Sequence, residues 1–245
     1  MSELPVSAQI RLASYGYDVG PEILKRATNA EREQHIAARV DDLLQHGPSG
    51  VPAAENEIKT TSYRGTDSPL YLAESRIMLL QNRLSEAVAL LDEGLRLATS
   101  YSNTARIVDL LALKSWILEN SGRWMELGEP LTYLEDYATR LQRQLTVIQV
   151  WAHRLRLARI QSDQAAEEAA AAQLAPLLVA QPTEDLASIG ALLIGVFERV
   201  AMIDPDVSKC AYELRRFVRS GAGPMDSVLA EWPYFPYVPI VPDYA

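Results

Sequence analysis

The residues in this chain best suited to gripping another molecule are arginines and tryptophans. Between Thr139 and Ile160 stand Arg140, Arg143, Arg154, Arg156 and Arg159 without one acidic residue, in a chain whose net charge is −9. If 139–160 is a single helix, steps of about 100° per residue bring Arg140, Arg143, Val147, Trp151 and Arg154 to one side. Arginines flanking an indole hold a carboxylate, a phosphate or an acidic peptide through paired hydrogen bonds and stacking. The alternative is that these arginines pair with Glu135, Asp136, Glu167 or Glu168 on neighbouring helices. Trp116 is a further candidate contact on an earlier helix. It could equally fill the gap between stacked helices.

Residues for catalysis are sparse. His35, His46 and His153 are scattered, and none lies at metal-ligand spacing from another histidine or from Cys210. Asp41-Asp42 suggests the metal–diphosphate site of an all-α lyase. That chemistry needs another carboxylate one turn on, where Gln45 and His46 stand. Gly221-Ala222-Gly223 reads as a helix stop, since no strand-to-helix phosphate cradle surrounds it. The expectation is a non-enzymatic binding protein with no cofactor and no metal, an all-α enzyme being the alternative. The expected partner is another protein or an acidic peptide, or else a small anionic ligand.

The C-terminal segment from Glu231 has a different character. Trp232, Tyr234, Phe235 and Tyr237 alternate with prolines, which forbid helix and favour an extended, polyproline-like run. Such aromatics are costly to leave in water. These four are therefore candidate docking residues, against the chain's own last helices, a second subunit or another protein. A structural subunit anchored by this tail in a larger complex is the runner-up reading.

The elements that must position these residues read as helices. The chain has 245 residues, 48% of them hydrophobic and only 7% aromatic, a balance that leans towards all-α. Its acidic charge argues against generic nucleic-acid binding. One cysteine, Cys210, rules out an internal disulfide framework; a small buried residue on a helix is its expected role. The longest apolar run, Ile189 to Phe197, is too short to cross a bilayer, and the N-terminus lacks signal-peptide character, so a cytoplasmic location is expected.

Along the chain, a helix is expected from Glu22 to Gln45, then a long loop to Asp67 with a short helix near Ala53 to Ile58. A helix pair follows over Tyr71 to Ala98, breaking at Gln81-Asn82-Arg83. Its second member carries Leu84, Ala87, Val88, Leu91, Leu95 and Ala98 at steps of three and four. Further breaks fall at Ser102-Asn103-Thr104, Ser121-Gly122-Arg123 and Gln161-Ser162-Asp163. The breaks at Asn82 and Gly122 lie 40 residues apart. A helix-pair period of that size signals an α-solenoid. The expected organisation is N-terminal helices and loop over 1–67, about four antiparallel helix pairs over 68–221, and the extended tail over 222–245.

Asn82 to Ala98 resembles the second helix of a tetratricopeptide repeat, with Asn82 at the turn, Ala87 small, and Gly94 where helices approach closely. The longer period is similar to the helical repeats of MalT-like, LuxR-type bacterial regulators. There, segments like SPLYLAESRIMLLQNRLSEAVALLDEGLRLA and TARIVDLLALKSWILENSGRW follow one another, and a phrase similar to YELRRFVRSGAGPMDSVL comes near the end. The resemblance covers the repeats alone. The glycine-rich loop ending in Gly-Lys-Ser/Thr of that family's ATP-binding module is missing, and so is its helix-turn-helix. What it implies is a tetratricopeptide-like superhelix that receives a signal by binding an inducer or protein, in bacterial regulation.

Overall fold

The computed structural model describes residues 27–44, 47–59, 69–187, 189, 193 and 196–219. Described residues are helical or in turns, with no strand among them. The chain gathers into two compact units, 1–113 and 114–245. Trp232, Tyr234, Phe235 and Tyr237 lie outside the described residues, as does His46.

In the first unit, α1 spans Asn29–Leu44, α2 Val51–Lys59, α3 Leu70–Leu80 and α4 Leu84–Ser100, followed by the first part of α5, Thr104–Asn120. The helix expected from Glu22 instead begins at Asn29. Thr28 and Glu31 explain the start: the Glu31 amide donates to Thr28 Oγ1 at 3.3 Å, and the Thr28 amide donates to Glu31 Oε2 at 2.8 Å. That reciprocal cap satisfies donors that a helix end leaves open. The loop expected after residue 46 contains α2, preceded by a 3-10 turn over Gly47–Gly50. A Cβ on Gly50 would sit 1.9 Å from the Leu43 carbonyl oxygen, so only glycine fits where the turn folds back on α1.

Charged pairs link these helices. Arg39 meets Glu57 at 2.7 Å, Gln81 donates to Glu55 at 2.7 Å, and Arg76 holds Asp41. α3 is buried on most sides, through Leu70, Tyr71, Leu72, Ala73, Ile77, Leu79 and Leu80. α4 buries Ala87, Val88, Leu91 and Ala98 of its expected stripe. A Cβ on Gly94 would meet Tyr71 at 3.1 Å and Leu110 at 3.2 Å, so the close approach expected at this glycine is present.

In the second unit, α5 ends at Asn120, and a 3-10 turn, Trp124–Glu126, leads into α6, Gly128–Arg140. Then come α7, Gln144–Ile160; α8, Gln164–Val179; the short α9, Thr183–Ala187, and α10, Phe197–Ala201; and α11, Pro205–Arg219. α7 packs against α6 and α8, and α8 against α10 and α11. Leu127, Leu131, Leu134 and Ala138 are buried, as their spacing predicts.

The turns share one construction. Asn82, Ser102, Gly122, Gln142 and Ser162 all have positive φ, between 54° and 73°, and recur every 20 residues. At each, the next residue's amide reaches back five positions: Arg83 to Met78, Asn103 to Ala98, Arg123 to Leu118, Arg143 to Ala138 and Asp163 to Ala158, at 2.8–2.9 Å. A second bond closes each turn, from the left-handed residue's own amide to the carbonyl three residues earlier. This is the Schellman cap, which satisfies the last carbonyls of a helix. Asn103 and Asp163 then cap the following helix with their side chains, accepting from Arg106 and Ala166.

Candidate interaction surface

The turn at Gln142 changes the arginine face expected from the sequence. The helix expected over 139–160 is broken there, so Arg140 ends α6 while Arg143 stands just before α7. Nothing in Leu141-Gln142-Arg143-Gln144 is a glycine, proline or asparagine, so the local chemistry gives little sign of the break. Arg140 is exposed, pairs with Asp136 at 2.9 Å and lies 5.9 Å from the Tyr137 ring centre. Val147, Trp151 and Arg154 lie on α7, and they and Arg143 just before it are each half-buried. Trp116 is only 4% exposed, which leaves it little surface for a partner.

Trp151 and Arg154 form the local centre of this face. Three residues along a helix place them as neighbours, and the guanidinium carbon of Arg154 lies 4.6 Å from the Trp151 ring centre. Stacking and the ion pair both act on Arg154, whose outer end meets Glu135 of α6 at 2.7 Å. Beside them, an open, shallow cleft of about 290 Å³ lies between α7 and α8. Trp151, Arg154, Leu157, Ala158, Ala166 and Ala170 line it. The alanines of α8 make the cleft: short side chains there leave room above Leu157 and Ala158. The site is therefore an apolar slot with one aromatic wall and one cation at its rim.

The other arginines of α7 have different neighbours. Arg159 reaches Glu167 at 3.2 Å, and Arg199 reaches Glu167 at 3.3 Å and Glu168 at 3.4 Å. Arg156 turns inward to Glu119 of α5, donating from Nη2 at 3.0 Å and also from Nε. His153, 3% exposed, contacts the same carboxylate through Nδ1. Burial pushes the Glu119 carboxyl up; the charges of His153 and Arg156 and their hydrogen bonds outweigh it and bring it down to about 2. Glu119 is thus held as a buried anion. The sequence leaves His153 to a structural or surface role and does not single out Glu119. Its one visible sign is a lone acid closing the apolar run Trp116-Ile117-Leu118.

Among the described residues, no group of three or more His, Cys, Asp or Glu is placed to hold a metal ion. Cys210, on α11, is half-buried, and burial raises its thiol; this disfavours the reactive thiolate at neutral pH. No described helix is long and apolar enough to cross a membrane. Comparison with known protein families, with curated proteins and with solved structures finds no match.

Proposed function

We propose that this chain is a non-enzymatic helical-repeat protein, tetratricopeptide-like in architecture, that binds a peptide segment of another protein in bacterial regulation. The observation that carries the reading is the cleft between α7 and α8, with Arg154 stacked on Trp151 at its rim. At about 290 Å³ it lies at the lower edge of the range for small-molecule sites, roughly 300–1,000 Å³. One or two side chains of an extended peptide suit it better than an enclosed metabolite. The apolar floor takes an aliphatic or proline side chain, and Arg154 takes a carboxylate beside it. The recurring turns support the repeat architecture, since two 20-residue steps make the 40-residue helix pair.

Calorimetric titration tests this with a capped peptide of three Glu-Pro-Leu repeats. Binding to the full chain, weakened at least fivefold by Arg154→Ala and by Trp151→Ala, is the expected result. Equal binding by the variants, or none by any chain, contradicts the reading.

A further inference from the structure

We infer that the outer face of α8 pairs with the same face of a second copy of this chain. The two helices run antiparallel about a two-fold axis at Ala172, and Val179 of each copy seats in the other's cleft between α7 and α8. The cleft is the one assigned above to a peptide, but the pairing does not depend on that reading. Its first support is the make-up of α8. From Ala169 to Val179 the only polar residue is Gln173. The inner face, Ala170, Ala171, Leu174, Ala175 and Leu178, is buried. The outer face, Ala165, Ala169, Ala172, Pro176 and Val179, is exposed and carries no charge. A helix apolar on all sides belongs in an interior. Other helices of the array meet solvent differently: α4 exposes Glu86, Glu93 and Arg96, and α6 exposes Asp136 and Arg140.

The spacing of the outer face says what covers it. Steps of four and three alternate from Ala165 to Val179, the seam of two paired helices. Turned end for end about Ala172, this seam matches itself. Ala165 then faces Val179 of the second copy and Ala169 faces its Pro176, so a short side chain meets a larger one at each level. Parallel pairing would set Val179 on Val179 and leave gaps between facing alanines. Self-matching of this kind is what a two-fold interface requires.

The cleft completes the match. It adjoins the seam at Ala166 and Ala169, the end where Val179 of the second copy arrives. Val179 is 42% exposed in the single chain, and Trp151 and Leu157 give it an aromatic and an aliphatic wall. Charge agrees as well. The carboxyl end of α8, with the partial negative charge of a helix terminus, comes beside Arg154 of the other copy. Past Glu168, α8 carries no acid to repel the second copy's Glu168. The seam is about 21 Å long at 1.5 Å per residue, so the contact is small and the dimer dissociates on dilution. Pairing covers the cleft, which makes the second copy and an outside peptide competitors for it.

Sedimentation of the full chain tests the pairing. The parent is expected at twice the monomer mass at about 0.5 mM and at the monomer mass by about 1 μM. Ala172→Glu alters an exposed helical position at small propensity cost and sets two carboxylates against each other at the axis. It should stay monomeric throughout, with the parent's circular dichroism. A parent that is monomeric at the higher concentration, or a dimer that persists in folded Ala172→Glu, overturns the inference. The register is read in the Cys210→Ser background under mild oxidation. Ala172→Cys should link two copies, because the axis brings the two positions within disulfide reach. Ala165→Cys should not, because its two positions stand about 21 Å apart. Equal linkage by both, or none by Ala172→Cys, overturns the pairing. The Glu-Pro-Leu peptide keeps the two readings apart. A monomeric parent that binds it overturns the pairing alone. Dimerisation through Ala172, with no peptide bound by monomeric Ala172→Glu, upholds the pairing and overturns the peptide reading.

Discussion

Arg154 and Arg156 stand two residues apart on α7 and face opposite fates. About 200° of rotation separates them around the helix. Arg156 points inward and, with His153, surrounds the buried Glu119. Arg154 lies on the half-buried outer side, stacked on Trp151 and paired with Glu135 at the rim of a cleft. The first cation is committed to holding α7 on α5. The second can exchange one carboxylate for another at little cost, since both its states are partly hydrated. Identical side chains on opposite sides of one helix thus serve structure in one case and, in the proposed reading, recognition in the other.

Removing the acid partner on each side should separate these roles most widely. Glu119→Ala leaves the half-buried Arg156 and the buried His153 without the carboxylate that joins them and should cost about 3 kcal/mol in urea denaturation. Replacing the pair together, Glu119→Leu with Arg156→Met, should recover most of that loss and leave peptide binding unchanged. Binding lost in a folded double variant would break the division between the two sides.

Acid provides the next test. Glu119 has a folded-state value near 2 against an ordinary 4.5. Its stabilising contribution is complete above about pH 4.5 and disappears as pH falls towards 2. Denaturation midpoints of the parent should therefore fall over that window, and those of Glu119→Leu/Arg156→Met should fall less. Parallel curves would remove the buried anion from the account.

Smaller effects sharpen the comparison. Gln142, just before α7, holds a φ of 56° that glycine adopts without strain. Gln142→Gly should stabilise the protein by roughly 1 kcal/mol, given a cost of about 1–2 kcal/mol for a left-handed non-glycine residue offset by glycine's greater unfolded entropy. A lower melting temperature would contradict that. Glu135→Gln removes the resident carboxylate from Arg154 and should change stability by less than about 1 kcal/mol. It should also tighten binding of the Glu-Pro-Leu peptide two- to fivefold, as read by calorimetry.

The helices were largely legible because buried leucines and alanines recur at three and four residues, as at Leu127, Leu131, Leu134 and Ala138. Breaks at Asn82, Gly122 and Ser162 carry residues that tolerate or signal turns. Gln142 does not, and a turn stabilised by backbone hydrogen bonds leaves no side-chain signature. Spacing alone therefore puts Arg140 on the helix of Trp151, whereas it ends the one before. Trp151 and Arg154 could be paired from their three-residue spacing. The cleft beside them depends on Ala166 and Ala170 facing Leu157 and Ala158 across two helices, a register that spacing within one helix does not specify. Glu119 escaped for the same reason: its partners are 34 and 37 residues away.

The most direct test of the outer side as a recognition surface is Arg154→Ala, examined by calorimetry with the Glu-Pro-Leu peptide and by thermal melting. The account predicts at least fivefold weaker binding with a melting temperature within about 3 °C of the parent, the shift expected for a loss of under 1 kcal/mol in a domain of this size. Unchanged affinity in a folded variant would contradict it.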